Sequence, residues 1–310
     1  MATGPRSPPP WTGARRQNYY LTPLIAEPIN ALTNLLFIYL AYRGIANSLR
    51  YNHDRIFLIT FIGYLVVGSG SFAFHATLKY PMQLVDELSM IYTTCLMTWA
   101  SFAHKRSGGV QVALGVGMAS LAIFITGYYH YLQDPTFHQN AYTLLTITVL
   151  TRSIWNMETN LRPYWRGKDG KLSAAQQERV DKRDKAILGK MWLMIVFGVS
   201  CFLGAFAIWT LDNEQCGWLR KTRKEIGMPW GFLLEGHAIW HLGTGIGAFH
   251  YITWGVWLRR CLDGQQDEYD VDWQHWLSVP ECVKRSSVNG SANGHAKGQA
   301  KTANGRVKAS

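Results

Sequence analysis

Long apolar stretches alternate with short polar ones along most of this chain. Spanning a bilayer takes about 20 mostly apolar helical residues. Four stretches reach about this length without any Asp, Glu, Lys or Arg, and three shorter ones tolerate a polar end. The seven stretches are residues 28–42, 56–78, 88–103, 110–129, 135–151, 191–211 and 236–258. Because helices of soluble proteins keep a polar face, the pattern predicts an all-α integral membrane protein, a bundle of seven transmembrane helices.

The polar connections divide the chain into three parts. Residues 1–20 form a polar N-terminal segment, and residues 21–260 form the seven-helix domain, with a charged cytoplasmic loop at about 159–188. Residues 261–310 form a cytoplasmic tail, rich in Ser, Asn, Gly, Ala and Lys towards its end. Such a composition buries little apolar surface, so we expect disorder from about residue 286.

Composition and charge narrow the class further. Charged residues make up only 16% of the chain, against roughly 25% in a typical globular protein. The mean hydropathy of −0.06 does not reveal the apolar stretches, because polar residues concentrate at both ends of the chain and in one loop. The five cysteines contain no CxxC pair, which argues against a disulfide framework and against a cysteine metal site. The net charge of +11 is explained by basic membrane loops, and no nucleic-acid partner is predicted.

The basic residues also predict an orientation. Lys and Arg concentrate in cytoplasmic loops. The loops on the side opposite the N-terminus carry nine lysines and arginines between residues 161 and 190 alone, together with Lys105, Arg106 and a basic tail. The N-terminus is therefore expected in the lumen or outside, and the C-terminus in the cytoplasm.

Several ionisable side chains fall at the ends of the apolar stretches, where each is a functional hypothesis. His237 and His241 are four residues apart and share a helical face, a spacing that can place two imidazole nitrogens on one zinc ion. His75 closes the second stretch, with Ser71 four residues earlier, and Asp86 opens the third. Taken singly, these residues have ordinary explanations as interfacial histidines, small packing residues or helix caps.

The predicted topology brings these residues to one membrane face. The second stretch ends on the luminal side, and the first, third and seventh begin there. The residues that converge are Glu27, Ser71, His75, Asp86, His237 and His241. Three histidines leave the fourth position of a tetrahedral zinc site open, which is the arrangement of catalytic zinc.

Three motifs resemble those of the alkaline ceramidases. Residues 70–88 read GSFAFHATLKYPMQLVDEL, residues 26–30 read AEPIN, and residues 236–241 read GHAIWH. The similarity extends over roughly residues 18–260, and it is closest in type to the fungal dihydro- and phytoceramidases. The resemblance implies a seven-helix amidohydrolase of the endoplasmic reticulum or Golgi that cleaves ceramide within the membrane to a sphingoid base and a fatty acid.

The resemblance also assigns roles to individual residues. It implies zinc ligands at His75, His237 and His241, a catalytic aspartate at Asp86 and a family serine at Ser71. Metal-assisted amide hydrolysis then follows, with Asp86 as general base and Ser71 donating a hydrogen bond to the oxyanion. Ser71 is not expected to be a nucleophile, since no histidine remains to act as its base.

Calcium activation is a further property that the resemblance implies, through Glu27 and Asn18. The family's acidic stretch is replaced here by residues 13–18, GARRQN. Calcium prefers several oxygen ligands, so Arg15 and Arg16 predict weak calcium dependence. Either calcium regulation is lost, or the first residues come from an incorrectly assigned exon.

Two other functions remain open from the residues. The first is a receptor-like seven-helix membrane protein with a structural zinc site, which should lack a base such as Asp86. The second is a transporter that uses the acids and histidines as a proton relay. Transporters usually show internal repeats and broken helices near the membrane centre, and this chain shows no repeat.

Overall fold

The computed structural model describes residues 25–168, 170–227 and 229–285. These residues form ten α-helices, one 3₁₀ helix and two short strands. In chain order they are α1 Pro28–Thr33, α2 Leu35–Arg50, α3 Arg55–Thr77, α4 Tyr80–Ala103, α5 Gly108–Leu132, α6 Pro135–Leu161, α7 Pro163–Arg166, α8 Ala174–Glu214, α9 Cys216–Ile226, the 3₁₀ helix Trp230–Leu234, α10 Gly236–Leu262, β1 Tyr269–Asp272 and β2 Glu281–Lys284.

The predicted all-α architecture is confirmed. Each of the seven apolar stretches lies within a long helical segment, the first of which is α1 followed directly by α2. Four segments of the described chain are long and apolar enough to cross a membrane: Pro28–Arg50, Arg55–Thr77, Gly108–Leu132 and Ala174–Glu214. The predicted N-terminal segment, residues 1–20, and the tail from residue 286 lie outside the described residues.

A tight turn joins α3 to α4 and sets the geometry of the predicted site. Helix α3 ends at Leu78, which has φ 52° and ψ 27°, and α4 begins two residues later with a proline in its first turn. The two helices then pack closely, because Gly70 has no side chain. A Cβ there would lie 2.8 Å from Val85 Cγ1 and 3.2 Å from the backbone nitrogen of Asp86. The Ser71 turn of α3 therefore lies against the Asp86 turn of α4.

Helices α8 and α10 form the largest helix interface in the molecule. Small residues allow their backbones to approach, as is common between membrane helices. A Cβ at Gly243 would lie 2.3 Å from Ala205 Cβ and 2.6 Å from the carbonyl oxygen of Cys201. This interface fixes α10, which carries His237 and His241.

The predicted loop at about 159–188 is shorter than expected. Helix α6 continues to Leu161, and α8 begins at Ala174, so residues 174–188 are helical and continuous with the sixth apolar stretch. A capping box between Ser173 and Gln176 starts this helix, which is a sequence signature of helix N-termini. The charged residues that suggest a loop are the polar first turns of one 41-residue helix.

The predicted cytoplasmic tail contains a two-stranded antiparallel ribbon that the sequence pattern did not reveal. Strand β1 pairs with β2, with Tyr269 opposite Lys284 and Asp272 opposite Glu281. The alternate side chains of Tyr269 and Val271 are buried against the helices. The first part of the tail is therefore a folded cover on one end of the bundle.

Candidate metal centre and active site

The three predicted zinc ligands lie together inside the bundle. His75 is in the last turn of α3, while His237 and His241 occupy the first two turns of α10. One ligand atom from each lies within 4.8 Å of the other two. The Nε2 atoms of His75 and His237 are 3.2 Å apart. His75 and His241 are buried, with 1% and 5% of their surface exposed.

Glu27 fixes the orientation of His75. Its Oε2 atom lies 2.7 Å from His75 Nδ1, and its backbone nitrogen donates to the carbonyl oxygen of His75 at 3.0 Å. The Asn30 side chain donates to the same carboxylate oxygen at 3.1 Å. A carboxylate can only accept, so Nδ1 carries the proton and Nε2 presents its lone pair towards the other histidines.

Two side chains from the first helical segment contact the Nδ1 atom of His241. Thr33 Oγ1 lies 3.0 Å from His241 Nδ1 and donates its own proton to the carbonyl oxygen of Asn30. It can therefore accept from His241 Nδ1. The Asn34 side-chain amide lies 3.3 Å from the same nitrogen. The Asn34 amide nitrogen can only donate, so the two contacts favour opposite tautomers of His241, and they orient the ring without fixing the position of its proton.

These contacts fit a zinc ion. Zinc-bound histidines generally donate their second ring nitrogen to a carboxylate, carbonyl or similar acceptor, which fixes tautomer and orientation. Two nitrogens bound to one tetrahedral zinc at about 2.0–2.1 Å are about 3.3–3.4 Å apart, and the observed His75–His237 distance is 3.2 Å.

Ser71 precedes His75 in the sequence, and Asp86 follows it. Ser71 is buried one helical turn before His75, with 3% of its surface exposed. Asp86 lies in the second turn of α4 and is half-buried. The helix begins at Tyr80, so Asp86 does not serve as its N-terminal cap.

The neighbouring Glu87 is engaged elsewhere. Gln83 donates to Glu87 Oε1 at 3.1 Å, and the Tyr129 hydroxyl donates to Oε2. His138 Nε2 donates to the Glu87 carbonyl oxygen at 2.8 Å. These bonds attach the beginning of α4 to α5 and α6. His138 itself is buried.

A second ion pair secures the start of α10. Arg223 of α9 contacts Glu235 Oε2 at 2.6 Å and Asp212 Oδ1 at 3.6 Å. Glu235 is the N-cap residue of the helix that carries His237 and His241. The α8–α9 connection therefore helps to hold both ligands in place.

The sequence-predicted calcium residues have different outcomes. Asn18 lies outside the described residues, so the calcium site stays a prediction. Glu27 is brought into direct contact with His75. Sequence reasoning assigned no role in the site to Thr33, Asn30 or Asn34. Their spacing on one face of the first helix was a signal, but their partner on α10 could not be read from it.

A largely apolar cavity of about 330 Å³ opens beside the histidine cluster. Trp240 and Thr244, which flank His241 along α10, form part of its wall. Helices α3, α4, α6 and α8 contribute Tyr64, Met97, Leu150 and Phe202, respectively. None of the three histidines is among its lining residues, and its apolar wall suits an elongated apolar ligand.

Comparison with known proteins decides the family. A family model described as Ceramidase matches residues 16–283. This chain belongs to the ceramidase family. It is 31% identical over 244 residues to alkaline ceramidase 3 of Mus musculus, which covers 78% of this chain and 81% of that protein.

Two further relatives have the same description. Alkaline ceramidase YPC1 of Saccharomyces cerevisiae is 29% identical over 291 residues, covering 86% of this chain and 82% of its own length. An alkaline ceramidase of Arabidopsis thaliana is 33% identical over 271 residues, covering 86% and 89%. The chain is thus a multi-pass membrane hydrolase of the alkaline ceramidase family. The receptor-like and transporter alternatives lose their support.

Proposed function

We propose that this protein hydrolyses the N-acyl amide of ceramide, dihydroceramide or phytoceramide, and releases a sphingoid base and a fatty acid. The observation that carries the proposal is the buried cluster of His75, His237 and His241, beside a cavity suited to lipid chains. Membership of the alkaline ceramidase family supports the same substrate class. The bilayer supplies the substrate, and no nucleic acid is involved.

His75, His237 and His241 would hold the zinc ion. Zinc held there supplies Lewis acidity, which polarises an amide carbonyl and acidifies water. Glu27 keeps the Nε2 atom of His75 unprotonated, and Thr33 and Asn34 orient the His241 ring. His75 therefore presents a lone pair without first losing a proton.

Asp86 acts as the general base and later as the acid. It takes a proton from the attacking water as the new C–O bond forms, and it delivers a proton to the amine nitrogen as the C–N bond breaks. Ser71 donates a hydrogen bond to the carbonyl oxygen as negative charge develops there. The close packing at Gly70 supports this pairing of roles, because it sets the Ser71 turn against the Asp86 turn.

The topology follows from the same proposal. Seven spans, with a luminal N-terminus and a cytoplasmic C-terminus, place the histidine cluster on the luminal side. The excess of Lys and Arg in the opposite loops supports this orientation. We assign the enzyme to the endoplasmic reticulum or Golgi, where ceramide metabolism takes place in this family.

The direct test is hydrolysis by purified, detergent-solubilised protein. Ceramide, dihydroceramide and phytoceramide are supplied in parallel, and the released sphingoid base is quantified with and without a zinc chelator. We expect release from at least one substrate, loss of release with chelator and recovery on adding zinc. Activity that survives complete removal of zinc would overturn the zinc mechanism. No release from any ceramide by zinc-loaded protein would overturn the substrate class.

A further inference from the structure

The β1–β2 ribbon has a connecting loop, residues 273–280, that we term the ribbon tip. It begins with Trp273, whose ring packs against Phe197 of α8 and His250 of α10, both with ring centroids 5.3 Å away. Trp273 and Val279 both pack against the hydrophobic core. The tip therefore lies along the α8–α10 pair and does not project away from the bundle.

Two helices give independent measures of the depth of the tip. Phe197 lies six residues inside the apolar stretch that begins at Met191, which corresponds to about 9 Å along a helix. His250 lies eight residues inside the stretch that ends at Leu258, or about 12 Å. The two measures agree. Trp273 is thus at the level of the bilayer and not of the surrounding water.

Ion pairs attach the ribbon to the helices at the ends of two apolar stretches, close to the ribbon tip. Lys190 contacts Asp270 Oδ1 at 3.0 Å and also the carbonyl oxygen of Val271. Arg43 contacts Glu281 Oε1 at 2.6 Å. Lys190 and Arg43 directly flank the apolar stretches 191–211 and 28–42. The ribbon is therefore fixed to the bundle at the membrane edge, with its tip on the apolar side.

The tip exposes two polar side chains, Gln274 and His275, next to two large apolar ones, a mixture that suits the boundary of a bilayer. Trp276 and Leu277 expose 67% and 70% of their surface. The turn that carries them satisfies much of its own polarity: Ser278 donates through its backbone and hydroxyl groups to the His275 carbonyl oxygen, and the His275 backbone nitrogen donates to Ser278 Oγ at 3.2 Å. Polar backbone groups that enter a bilayer need such internal partners.

We propose that the ribbon tip is seated in the bilayer, and that the partner of Trp276 and Leu277 is the boundary between lipid headgroups and acyl chains. Tryptophan favours this boundary, because its ring is apolar and its N–H group is polar. Lys284 and Arg285 follow the tip and suit anionic lipid headgroups. The family match to residue 283 includes this segment.

The test compares two tryptophans that are almost equally exposed. Trp276 exposes 67% of its surface, and Trp165 of α7 exposes 63%. Trp165 precedes Arg166, which pairs with Asp181 and Asp184 in the charged turns of α8, so it serves as the aqueous control. The emission of Trp276→Phe or Trp165→Phe is subtracted from that of the full wild-type chain in lipid nanodiscs. Each difference isolates one tryptophan.

Two quenchers of tryptophan fluorescence are then compared. Lipids with brominated acyl chains quench side chains in the bilayer, and acrylamide quenches side chains in water. We expect brominated lipid to remove the Trp276 emission and to spare the Trp165 emission, and acrylamide to do the reverse. Leu277→Trp in the Trp276→Phe background supplies a second reporter at the tip with the same expected result. Tip emission that acrylamide quenches and brominated lipid spares would overturn the proposal, and it would assign the tip to water or to a soluble partner.

Discussion

The bundle contains a buried histidine network at each end, and the two networks are built differently. At one end, His75 Nδ1 contacts Glu27, but its Nε2 faces another histidine nitrogen at 3.2 Å. At the other end, His53 Nε2 lies 3.2 Å from Asn47 Oδ1 and 3.1 Å from the Cys282 carbonyl oxygen. Its Nδ1 lies 3.2 Å from the Arg260 guanidinium.

This difference separates a binding site from a structural contact. Around His53, the donors and acceptors of the protein complement each other, since Arg260 donates to Nδ1 and the Nε2–H group donates to oxygen. Around His75, Nδ1 donates to Glu27, and Nε2 faces ring nitrogens of two further histidines that lie close enough to share one metal ion. The first network is therefore the candidate metal site, and the second is a structural contact.

The largest expected effect is loss of catalysis at the first network. His241→Ala removes one of three ligands, so zinc content and ceramide hydrolysis should both fall to background. The matched change at the second network, His53→Ala, should keep stoichiometric zinc and activity, and should lower the melting temperature. Metal analysis, sphingoid-base release and thermal unfolding measure these outcomes. Retained zinc with intact hydrolysis in His241→Ala would remove that residue from the site.

The second largest effect on catalysis is expected from loss of the proposed general base, Asp86. Asp86→Asn should keep zinc but slow hydrolysis by about 10²–10⁴-fold, because the variant cannot accept a proton from water. Glu87→Gln is the control, since Glu87 is already bonded to Gln83 and Tyr129. A near-normal rate for Asp86→Asn, with a large loss for Glu87→Gln, would reassign the base.

A smaller effect is expected from the residue that orients His75. Glu27→Gln replaces the acceptor of the Nδ1 proton, and losses of about 10–100-fold in metal affinity are typical for such partners. Competition with a chromophoric chelator measures the affinity. Glu281→Gln, which alters a carboxylate at the opposite end, should leave zinc affinity unchanged. Unchanged zinc affinity in Glu27→Gln, with altered calcium response, would instead favour a calcium role for Glu27.

The second network should impose a pH dependence on stability. Burial, together with the nearby Arg260 charge, lowers the pKa of His53 from 6.5 to about 4. The folded state therefore favours neutral His53, and this stabilisation is present above pH 6.5 and lost as the pH falls towards 4. It amounts to about 3 kcal/mol. The wild-type melting temperature should fall more steeply over this range than that of His53→Gln, and parallel curves would contradict the assignment.

The last prediction asks which side of the membrane each network faces, and its expected result is no change. Asn289-Gly290-Ser291 is the one Asn-x-Ser/Thr sequon in the chain, and it lies outside the described residues. Glycosylation occurs on the luminal side, and the tail is predicted to be cytoplasmic. Asn289 should therefore stay unmodified. A glycosidase-sensitive mass shift that disappears in Asn289→Gln would place the tail in the lumen and overturn the seven-span orientation.

The metal site was predictable to the extent that it depends on spacing and topology. His237 and His241 share a helical face by their separation alone, and the alternation of spans placed His75 at the same end. The contacts of Thr33 and Glu27 were not predictable in this way. They depend on how closely the first helix packs against α3 and α10, and a hydrophobic pattern does not specify that packing.

The ribbon was missed for a different reason. Its strands, Tyr269–Asp272 and Glu281–Lys284, have four residues each. Four residues give too few alternations to distinguish a strand from a polar connection. Their pairing is supported by distant residues, such as Asn47, which donates to the Cys282 carbonyl oxygen at 3.1 Å.

The predicted loop at about residues 159–188 is in part helical. Charged residues in the first turns of α8 hide the fact that these turns continue without a break into the sixth apolar stretch.

The continuity of α8 has a mechanical consequence. Its 41 residues extend about 60 Å as a single rod. The rod carries the ion pair of Arg166 and Asp184 near one end, the cavity wall at Phe202 and the Asp212–Arg223 contact near the other. A rigid rod transmits rotation along its whole length, so a tilt of about 5° displaces one end by about 5 Å relative to the other. A force on the charged turns would therefore reach the apolar cavity and the helix that carries His241 without any intervening hinge.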